Sequence, residues 1–510
     1  MLQIRELNVA MKKDLRPLVK GLNLAVNPGD KIAVIGEEGD GKSTLLKLIL
    51  EPALVEDYVD WEGQVQKNGM VLGYLAQELA PAEGAKSGYE FCCGSPGFLE
   101  SSPAELASAA ASLRLPVELF YSDRPVASLS GGEKVKLRMA LLTLARPDLY
   151  LLDEPSNDLD VETLEWLEDF ILRCPQPVIY ISHDETLLEN TANAILHIEQ
   201  LRRKTLSRWT FARCGYRQYV DDRLGSLARQ EQAARKERDE DRKRQEKLRR
   251  IEQKVQHGLD TISRANPSGG RLLKKKMKSV KSMEHRFQRE REAMTEMPDT
   301  EEAILAGFSP EISLPAGKVV LDLELPLLSA GDGGVLAKDI RLHLRGGAHI
   351  CIVGNNGVGK TTLLREIAGR LAGREDIRVA YMPQDYGETV DQSLTPVEFL
   401  EPSGEKGLLT RAKTFLGSMK YTPEECSHSI SQLSGGQKAK LFFLKMILSG
   451  SDVLVLDEPT RNFSPLSGPV IRKMLEEFGG CIISVSHDRK FIQAVGRELY
   501  RLEPEGLKKI

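Results

Sequence analysis

The sequence repeats itself at long range, and this repeat limits the possible folds more than any other feature. The first half contains GEEGDGKS at residues 36–43, YLAQ at 74–77, LSGGE at 129–133, LYLLDEP at 149–155 and ISHD at 181–184. The second half contains GNNGVGKT at 354–361, YMPQ at 381–384, LSGGQ at 433–437, VLVLDEP at 453–459 and VSHD at 485–488. Three matched pairs are each 304 residues apart: Ser130 and Ser434, Asp153 and Asp457, and His183 and His487. The chain is therefore predicted to contain two copies of one domain.

Each copy has the pattern of an α/β domain. The short β-rich runs KIAVIG and HICIVG lead into a glycine-rich turn and then into a helical stretch. LYLLDEP and VLVLDEP read as buried parallel strands that end in carboxylates, and VIYISHD and CIISVSHD read as further strands. We predict an α/β fold in which a mostly parallel sheet flanked by helices occurs twice.

A phosphate-binding pattern, G-x-x-x-x-G-K-[ST], occurs in each half. Backbone N–H groups in such a loop cradle phosphate oxygens, the lysine brings positive charge to them, and the hydroxyl binds Mg²⁺. Asp153 and Asp457 at strand ends complete a metal site, and Glu154 and Glu458 are placed to polarise an attacking water. The pattern predicts two ATP-hydrolysing sites with ATP and Mg²⁺ as cofactors. The predicted phosphate-binding residues are Gly36, Gly39, Gly41, Lys42, Ser43 and Thr44 in the first copy, and Gly354, Gly357, Gly359, Lys360, Thr361 and Thr362 in the second.

LSGGE and LSGGQ are signature sequences of ATP-binding cassette proteins, so both copies resemble that family. The resemblance implies that the signature of one cassette closes over ATP held by the other. It also implies metal- and water-sensing glutamines, and γ-phosphate histidines that here lie 29 residues after each glutamate. The implied signature contacts are Ser434, Gly435 and Gly436 toward Lys42, and Ser130, Gly131 and Gly132 toward Lys360. The implied metal ligands are Ser43, Gln77, Asp153, Thr361, Gln384 and Asp457, and the implied catalytic residues are Glu154, Glu458, His183 and His487.

Two features depart from the family pattern. The loop after the first glutamate reads PSNDLD, whereas the second reads PTRNFSP, so Ser464 stands where Asp160 stands in the repeat. In the family this loop crosses the cassette interface, and we therefore expect the two ATP sites to be unequal. Neither segment upstream of a phosphate loop contains the aromatic residue that usually stacks on adenine, which predicts loose selectivity for the base.

The segment between the two copies shows neither the repeat nor a sheet pattern, and its apolar residues follow helical spacing. Residues 266–270, NPSGG, are predicted to break this helical segment into an antiparallel hairpin, a coiled-coil linker. The predicted domains are a first cassette at 1–200, a basic helical-hairpin linker at 201–316 and a second cassette at 317–510. The two apolar stripes consist of Leu248, Ile251, Val255, Leu259 and Ile262, and of Leu273, Met277, Val280 and Phe287.

The linker concentrates positive charge. Residues 221–297 hold 22 Lys/Arg against 14 Asp/Glu, although the whole chain has a formal net charge of −4. Such a cluster neutralises phosphates and predicts salt-dependent RNA binding, with a solvated spacer as the alternative. The predicted RNA-binding residues are Arg264, Arg271, Lys274, Lys275, Lys276, Lys278 and Lys281.

Composition excludes several other classes of protein. No run approaches the roughly 18 apolar residues of a membrane helix, and the N-terminus lacks the apolar core of a signal peptide. We therefore expect a cytoplasmic protein with no membrane partner. The seven cysteines have no C-x-x-C spacing, which favours reduced thiols over a zinc site.

Two cassettes, no membrane span and a basic hairpin linker together resemble the ABC-F family. The resemblance implies a monomer with intramolecular cassette pairing, whose partner is the ribosome, through rRNA and the P-site tRNA, rather than DNA. The glutamine-to-signature intervals are 53 and 50 residues, so the extra arm common in housekeeping members is absent or very short. This favours an antibiotic-resistance member that protects ribosomes, with a housekeeping translation factor as the alternative. A transporter ATPase subunit has no use for the hairpin, and chromosome ATPases have longer coils or zinc cysteines.

Overall fold

The computed structural model describes residues 1–157, 159–201, 204–261, 267–292, 294–295, 308–309, 311–331, 333–387, 390–419 and 421–510. The side chains of residues 267–270, 292 and 418 are not described. The chain forms two compact units, Met1–Arg217 with Glu301–Ile510, and Gln218–Thr300. The first unit contains both cassettes, and the second contains the hairpin, which we call the arm.

The first cassette is built on a six-stranded sheet in the order β5-β6-β7-β3-β8-β9, parallel except for the β8–β9 pair. A three-stranded antiparallel sheet, β2-β1-β4, packs into the same hydrophobic core. Every residue of the three central strands β3, β6 and β7 is buried, as predicted for strands covered on both faces. The strands are β1 (Leu2–Met11), β2 (Pro17–Val26), β3 (Lys31–Ile35), β4 (Val59–Gln66), β5 (Leu72–Leu75), β6 (Leu149–Asp153), β7 (Val178–Ile181), β8 (Ala194–Leu201) and β9 (Leu206–Ala212).

The second cassette repeats this plan with the order β13-β14-β15-β12-β16-β17 and a two-stranded antiparallel sheet, β10-β11. The prediction of a mostly parallel sheet in each copy is therefore confirmed. The antiparallel sheets were not predicted. The strands are β10 (Val319–Ser329), β11 (Val335–Arg345), β12 (His349–Val353), β13 (Val379–Met382), β14 (Val453–Asp457), β15 (Cys481–Val485), β16 (Glu498–Glu503) and β17 (Gly506–Lys509).

Helices flank both sheets, and one helix follows each phosphate loop directly. Those in the first cassette are α1 (Lys42–Leu50), α2 (Pro81–Gly84), α3 (Gly88–Cys93), α4 (Pro96–Glu100), α5 (Pro103–Ser112), α6 (Gly131–Leu144), α7 (Val161–Arg173) and α8 (Glu185–Thr191). The arm consists of α9 (Tyr216–Thr261) and α10 (Pro267–Glu292). The second cassette contains α11 (Lys360–Ala372), α12 (Pro396–Leu400), α13 (Lys406–Ser418), α14 (Gly435–Ser449), α15 (Gly468–Glu476) and α16 (Arg489–Val495). Among the described residues, none of these helices has the length and apolar character that crossing a bilayer requires.

The two arm helices are antiparallel, as predicted. Arg244 on α9 pairs with Glu290 on α10 at 3.3 Å, and Asp241 pairs with Arg291 at 3.1 Å. The predicted break is wrong in extent, because residues 267–270 form the first turn of α10, where a proline costs no hydrogen bond. Of the predicted stripes, Val255 and Val280 are buried, Leu248, Leu259, Leu273, Met277 and Phe287 are half-buried, Ile251 is exposed, and Ile262 lies outside the described residues.

Buried ion pairs join the two cassettes. Arg472 on α15 of the second cassette donates two hydrogen bonds to Glu185 on α8 of the first, at 2.6 and 3.0 Å. Lys490 on α16 also reaches Glu185, at 3.3 Å, and Arg489 pairs with Glu168. The first cassette thus supplies the carboxylates and the second supplies the cations. Because a buried charge is costly unless it is paired, this cluster selects one relative position of the cassettes.

We predict that Arg472→Ala destabilises the paired cassettes by about 3 kcal/mol, because it leaves the buried Glu185 with a weaker partner. The measurement is urea unfolding of the whole chain. Arg146→Ala is the control, because it removes an equally short pair that lies on the surface of one cassette. Equal unfolding midpoints for the two variants would show that the interface does not depend on this pair.

Candidate nucleotide sites

A cavity of about 480 Å³ surrounds Lys360. The loop between β12 and α11 forms one wall, and Glu458 and His487 of the same cassette contribute to the lining. Gly131 and Asn157 of the first cassette line the opposite wall. Residues from both copies therefore form this cavity.

A second cavity, of about 350 Å³, surrounds Lys42. Gln77, Glu154 and His183 of the first cassette line it together with Arg461 and Asn462 of the second. These two residues belong to the loop that departs from the family pattern. The next residue of that loop, Phe463, places its carbonyl oxygen 2.8 Å from Nδ1 of His183. The altered loop therefore adjoins the Lys42 cavity.

Both phosphate loops have the backbone shape that phosphate binding requires. A Cβ atom on Gly36 would lie 2.3 Å from the carbonyl oxygen of Ile198, so no larger residue fits there. Lys42 donates through Nζ to the carbonyl oxygens of Gly36 and Glu37, at 2.9 and 2.7 Å. Lys360 makes the corresponding bonds in the second loop. These ammonium groups are held at the loops, where they can meet phosphate oxygens.

The residues predicted to bind a metal fit Mg²⁺, which prefers oxygen ligands and keeps several waters. Ser43 donates through Oγ to Oδ1 of Asp153 at 2.9 Å, which places a hydroxyl and a carboxylate together. In the second copy, burial raises the pKa of Asp457, and the Thr361 hydroxyl beside it opposes that rise. Gln77 and Gln384 line the Lys42 and Lys360 cavities, respectively.

Glu154 is ionised and held by three side chains. His183 approaches Oε1 through Nε2 at 3.2 Å, Asn157 donates to Oε2 at 2.6 Å, and Gln77 donates to Oε2 at 3.3 Å. Burial opposes ionisation, but His183, Lys42 and Asn157 outweigh it and lower the pKa of Glu154 to about 2. A carboxylate with so low a pKa is a weak base.

The pKa of Glu458 is shifted in the opposite direction to that of Glu154. Burial raises its pKa to about 8, although the His487 backbone N–H donates to Oε2 at 3.2 Å. Burial also lowers the pKa of His487 to about 4, so this imidazole is neutral at pH 7. The two glutamates therefore differ in protonation at neutral pH despite their equivalent positions in the repeat.

The signature serines begin helices. Ser130 and Ser434 cap α6 and α14, each accepting a hydrogen bond from the backbone three residues later. Gly131 lines the Lys360 cavity. The backbone N–H groups of Gly435 and Gly436 donate hydrogen bonds to the carboxylate of Glu38, which belongs to the first phosphate loop.

Two groups of residues around Lys42 were missed by sequence reasoning. Tyr58 and Arg16 line the cavity, and Tyr58 lies after the phosphate loop, outside the upstream segment in which the base-stacking ring is usual. The loop itself is acidic, with carboxylates at 37, 38 and 40 where the second loop has Asn355, Asn356 and Val358. A position-by-position comparison of the two loops would have found this difference. The tyrosine precedes β4, and only the fold brings it to the cavity.

The arm presents its predicted RNA-binding side chains to solvent. Arg264 lies outside the described residues. The remaining six, all on α10, are exposed: Arg271, Lys274, Lys275, Lys276, Lys278 and Lys281.

Comparison with known proteins assigns the family. The family model described as "ABC transporter" matches residues 19–157 and 337–461, slightly more than half of the chain. The chain belongs to this family. It is an ATP-hydrolysing enzyme with two ATP-binding cassettes, of the ABC-F type.

Two relatives match nearly the whole chain. The ABC ATPase is 27% identical to "ABC transporter F family member 2" of Arabidopsis thaliana, over 99% of this chain and 77% of the relative. It is also 27% identical to "Energy-dependent translational throttle protein EttA" of Escherichia coli K12, over 96% of this chain and 90% of the relative. A structure of the archaeal ribosome recycling factor aABCE1 with ribosomal stalk protein aP1 shares the fold, with a TM-score of 0.59 and 17% identity, covering 99% of this chain and 90% of that one.

We predict that Tyr58→Ala weakens adenine nucleotide binding at the Lys42 site of this ABC ATPase by about tenfold. Stacking of a base on an aromatic side chain contributes roughly 1–3 kcal/mol of binding free energy, which is lost when the ring is removed. Binding is measured with Lys360→Ala in place, so that the first site is observed alone. Tyr58→Phe is the matched control and should bind normally, since the ring is retained. Normal binding by Tyr58→Ala would exclude a base-stacking role.

Proposed function

We propose that this ATPase acts on the ribosome and uses ATP binding and hydrolysis to insert and withdraw the arm near the P-site tRNA and the peptidyl transferase centre. The observation that carries this proposal is the row of six exposed basic side chains on α10, because such a row binds phosphate backbones. The relative named a translational throttle supports it. In this proposal the cassettes span 1–200 and 317–510, and the linker spans 201–316.

The proposed chemistry follows from the two cavities. Lys42 and Lys360 bring positive charge to the phosphates, and Ser43 with Asp153 and Thr361 with Asp457 would hold the metal. Mg²⁺ supplies charge that offsets the negative charge developing on the phosphates during transfer. Glu154 and Glu458 accept a proton from the attacking water. His183 and His487 orient the γ-phosphate that this water attacks.

We further propose a monomeric, cytoplasmic protein that protects ribosomes against antibiotics and has no DNA or membrane partner. The near-equal glutamine-to-signature intervals support the protective role, since neither copy carries an additional arm there. All seven cysteines lie in the described part of the chain and none forms a disulfide bond, which suits a reducing compartment. Growth of cells with and without the protein across ribosome-targeting drugs tests this role. Unchanged drug tolerance with altered translation would favour the housekeeping alternative.

We predict that Glu458→Gln lowers ATP turnover far more than Glu154→Gln, because a base is most effective when its pKa lies near the working pH. The double variant should bind ATP and lose at least about 100-fold in turnover. Steady-state ATPase assays measure both effects. Glu477→Gln makes the same chemical change on an exposed surface and should leave turnover intact.

The same assignment predicts a pH profile. In Glu154→Gln, turnover depends on Glu458, whose pKa is about 8, and a carboxyl must lose its proton before it can act as a base. Turnover should therefore rise as the pH increases from 7 through 8 and level off above about 9. A flat profile, or equal losses from the two single substitutions, would contradict this assignment.

For the arm, we predict that Gln at Lys274, Lys275, Lys276 and Lys278 weakens ribosome binding without reducing ATP hydrolysis by free protein. Four lost phosphate contacts should reduce the slope of log affinity against log salt by about 3. Co-sedimentation with ribosomes over a range of salt concentrations measures this slope.

The control places Gln at four exposed basic residues in the middle of α9, namely Lys236, Arg238, Lys243 and Lys247. This control variant removes the same number of positive charges from the arm as the α10 variant. If α10 makes the contact, the slope of log affinity against log salt should change much less in the control. Equal slopes for the two variants would indicate only general electrostatic attraction. An unchanged slope in the α10 variant would show that α10 makes no phosphate contacts and would favour the alternative that the arm is a solvated spacer.

A further inference from the structure

A carboxylate of the first phosphate loop occupies the start of the signature helix of the opposite cassette. Gly435 donates its backbone N–H to Oε1 of Glu38 at 3.1 Å, and Gly436 donates to Oε2. These amides begin α14, a helix of 15 residues, and the N-terminus of such a helix attracts anions. The structure thus shows an anion at these amides, and the chain itself supplies it.

The contact is close and has a second point of attachment. A Cβ atom on Gly436 would lie 3.0 Å from Oε2 of Glu38 and 2.8 Å from the carbonyl oxygen of Asn462, so a larger residue would crowd the carboxylate. One turn further along α14, Lys440 pairs with Glu37 at 3.0 Å. Two neighbouring carboxylates of the loop are therefore fixed to one helix.

The two copies differ at these positions. Asn356 of the second loop corresponds to Glu38, and it lines the Lys360 cavity together with Gly131, the counterpart of Gly435. The second loop thus has a neutral amide where the first has a carboxylate. The second site, with Asn356, therefore serves as an internal comparison for the effect of Glu38 at the first.

We propose that Glu38 is a specificity-determining residue that takes the place of the terminal phosphate at the Lys42 site, and so disfavours ATP relative to ADP there. Glu38 lines the Lys42 cavity, so a phosphate on that loop that approaches α14 meets the same two amides. Two anions cannot share them without strong repulsion. The γ-phosphate must displace Glu38, whereas ADP leaves the contact intact.

This inference rests on the proposed assignment of Lys42 to a nucleotide site, and it is independent of the ribosomal role. Its test measures ATP and ADP affinity of the purified full chain with Mg²⁺, by displacement of a fluorescent nucleotide. Lys360→Ala is present throughout, so that only the first site reports. Glu38→Asn copies the second loop, and Glu38→Gln keeps the length of the side chain but removes its charge.

Both substitutions should raise ATP affinity by about tenfold or more while ADP affinity changes by less than about threefold, since only the γ-phosphate competes with Glu38. The mirror variant, Asn356→Glu with Lys42→Ala, should lower ATP affinity at the Lys360 site selectively. An ATP-to-ADP ratio that stays constant in the Glu38 variants and in the mirror variant would overturn the proposal.

A readout without nucleotide completes the test. Hydrogen exchange at the Gly435 and Gly436 amides should be faster in Glu38→Gln than in the parent chain, because their acceptor is weakened. Unchanged exchange would overturn the proposal independently of binding. If neither nucleotide binds the Lys42 site in any variant, the assignment of that site fails, and the proposal then fails with it. If the parent chain did not bind ribosomes, the proposed function would be contradicted. The ratio of ATP to ADP affinity at the Lys42 site would still test the role of Glu38.

Discussion

Both nucleotide cavities depend on the pairing of the cassettes through buried charges. Arg472 and Glu185 lie at the centre of this pairing, with carboxylates supplied by one copy and cations by the other. Displacing one cassette would leave these charges buried without partners, at a cost of several kcal/mol. His183 lies just before α8, and Phe463 lies a few residues before α15. In the paired cassettes, Nδ1 of His183 lies 2.8 Å from the carbonyl oxygen of Phe463.

Duplication gave the two sites the same backbone but not the same electrostatics. Glu154 and Glu458 follow equivalent strands and share a φ of 49°, a left-handed conformation that places each carboxylate at the strand end. Their pKa values, about 2 and about 8, differ because His183 and Asn157 contact the first carboxylate, whereas burial dominates the second. Acid strength is thus set by the contacts that each carboxylate makes and not by its position in the repeat.

Sequence reasoning predicted the elements that have a local signature. The strands before both phosphate loops, the strands that end in Asp153 and Asp457, and the antiparallel arm all leave periodic or motif patterns. The antiparallel sheets were missed because none of the repeated motifs lies in their strands, although the alternation of Ile340, Leu342 and Leu344 with polar residues in β11 is a local strand signal. Tyr58 was missed because only folding brings it near Lys42. The start of α10 was misplaced because Pro267 reads as a breaker, although it is acceptable in a first helical turn.

Three departures from symmetry converge on the Lys42 site. Glu38 contacts the opposite signature, Ser464 replaces an aspartate in the neighbouring loop, and Glu154 has the pKa of a weak base. Under the proposed function, each of them slows turnover or disfavours ATP at the Lys42 site, and the Arg472–Glu185 pair involves none of these three residues. Both cavities share one interface, so the occupant of either site biases the pairing on which the other depends. A Lys42 site that turns over slowly would then keep the cassettes paired while the Lys360 site completes its cycle.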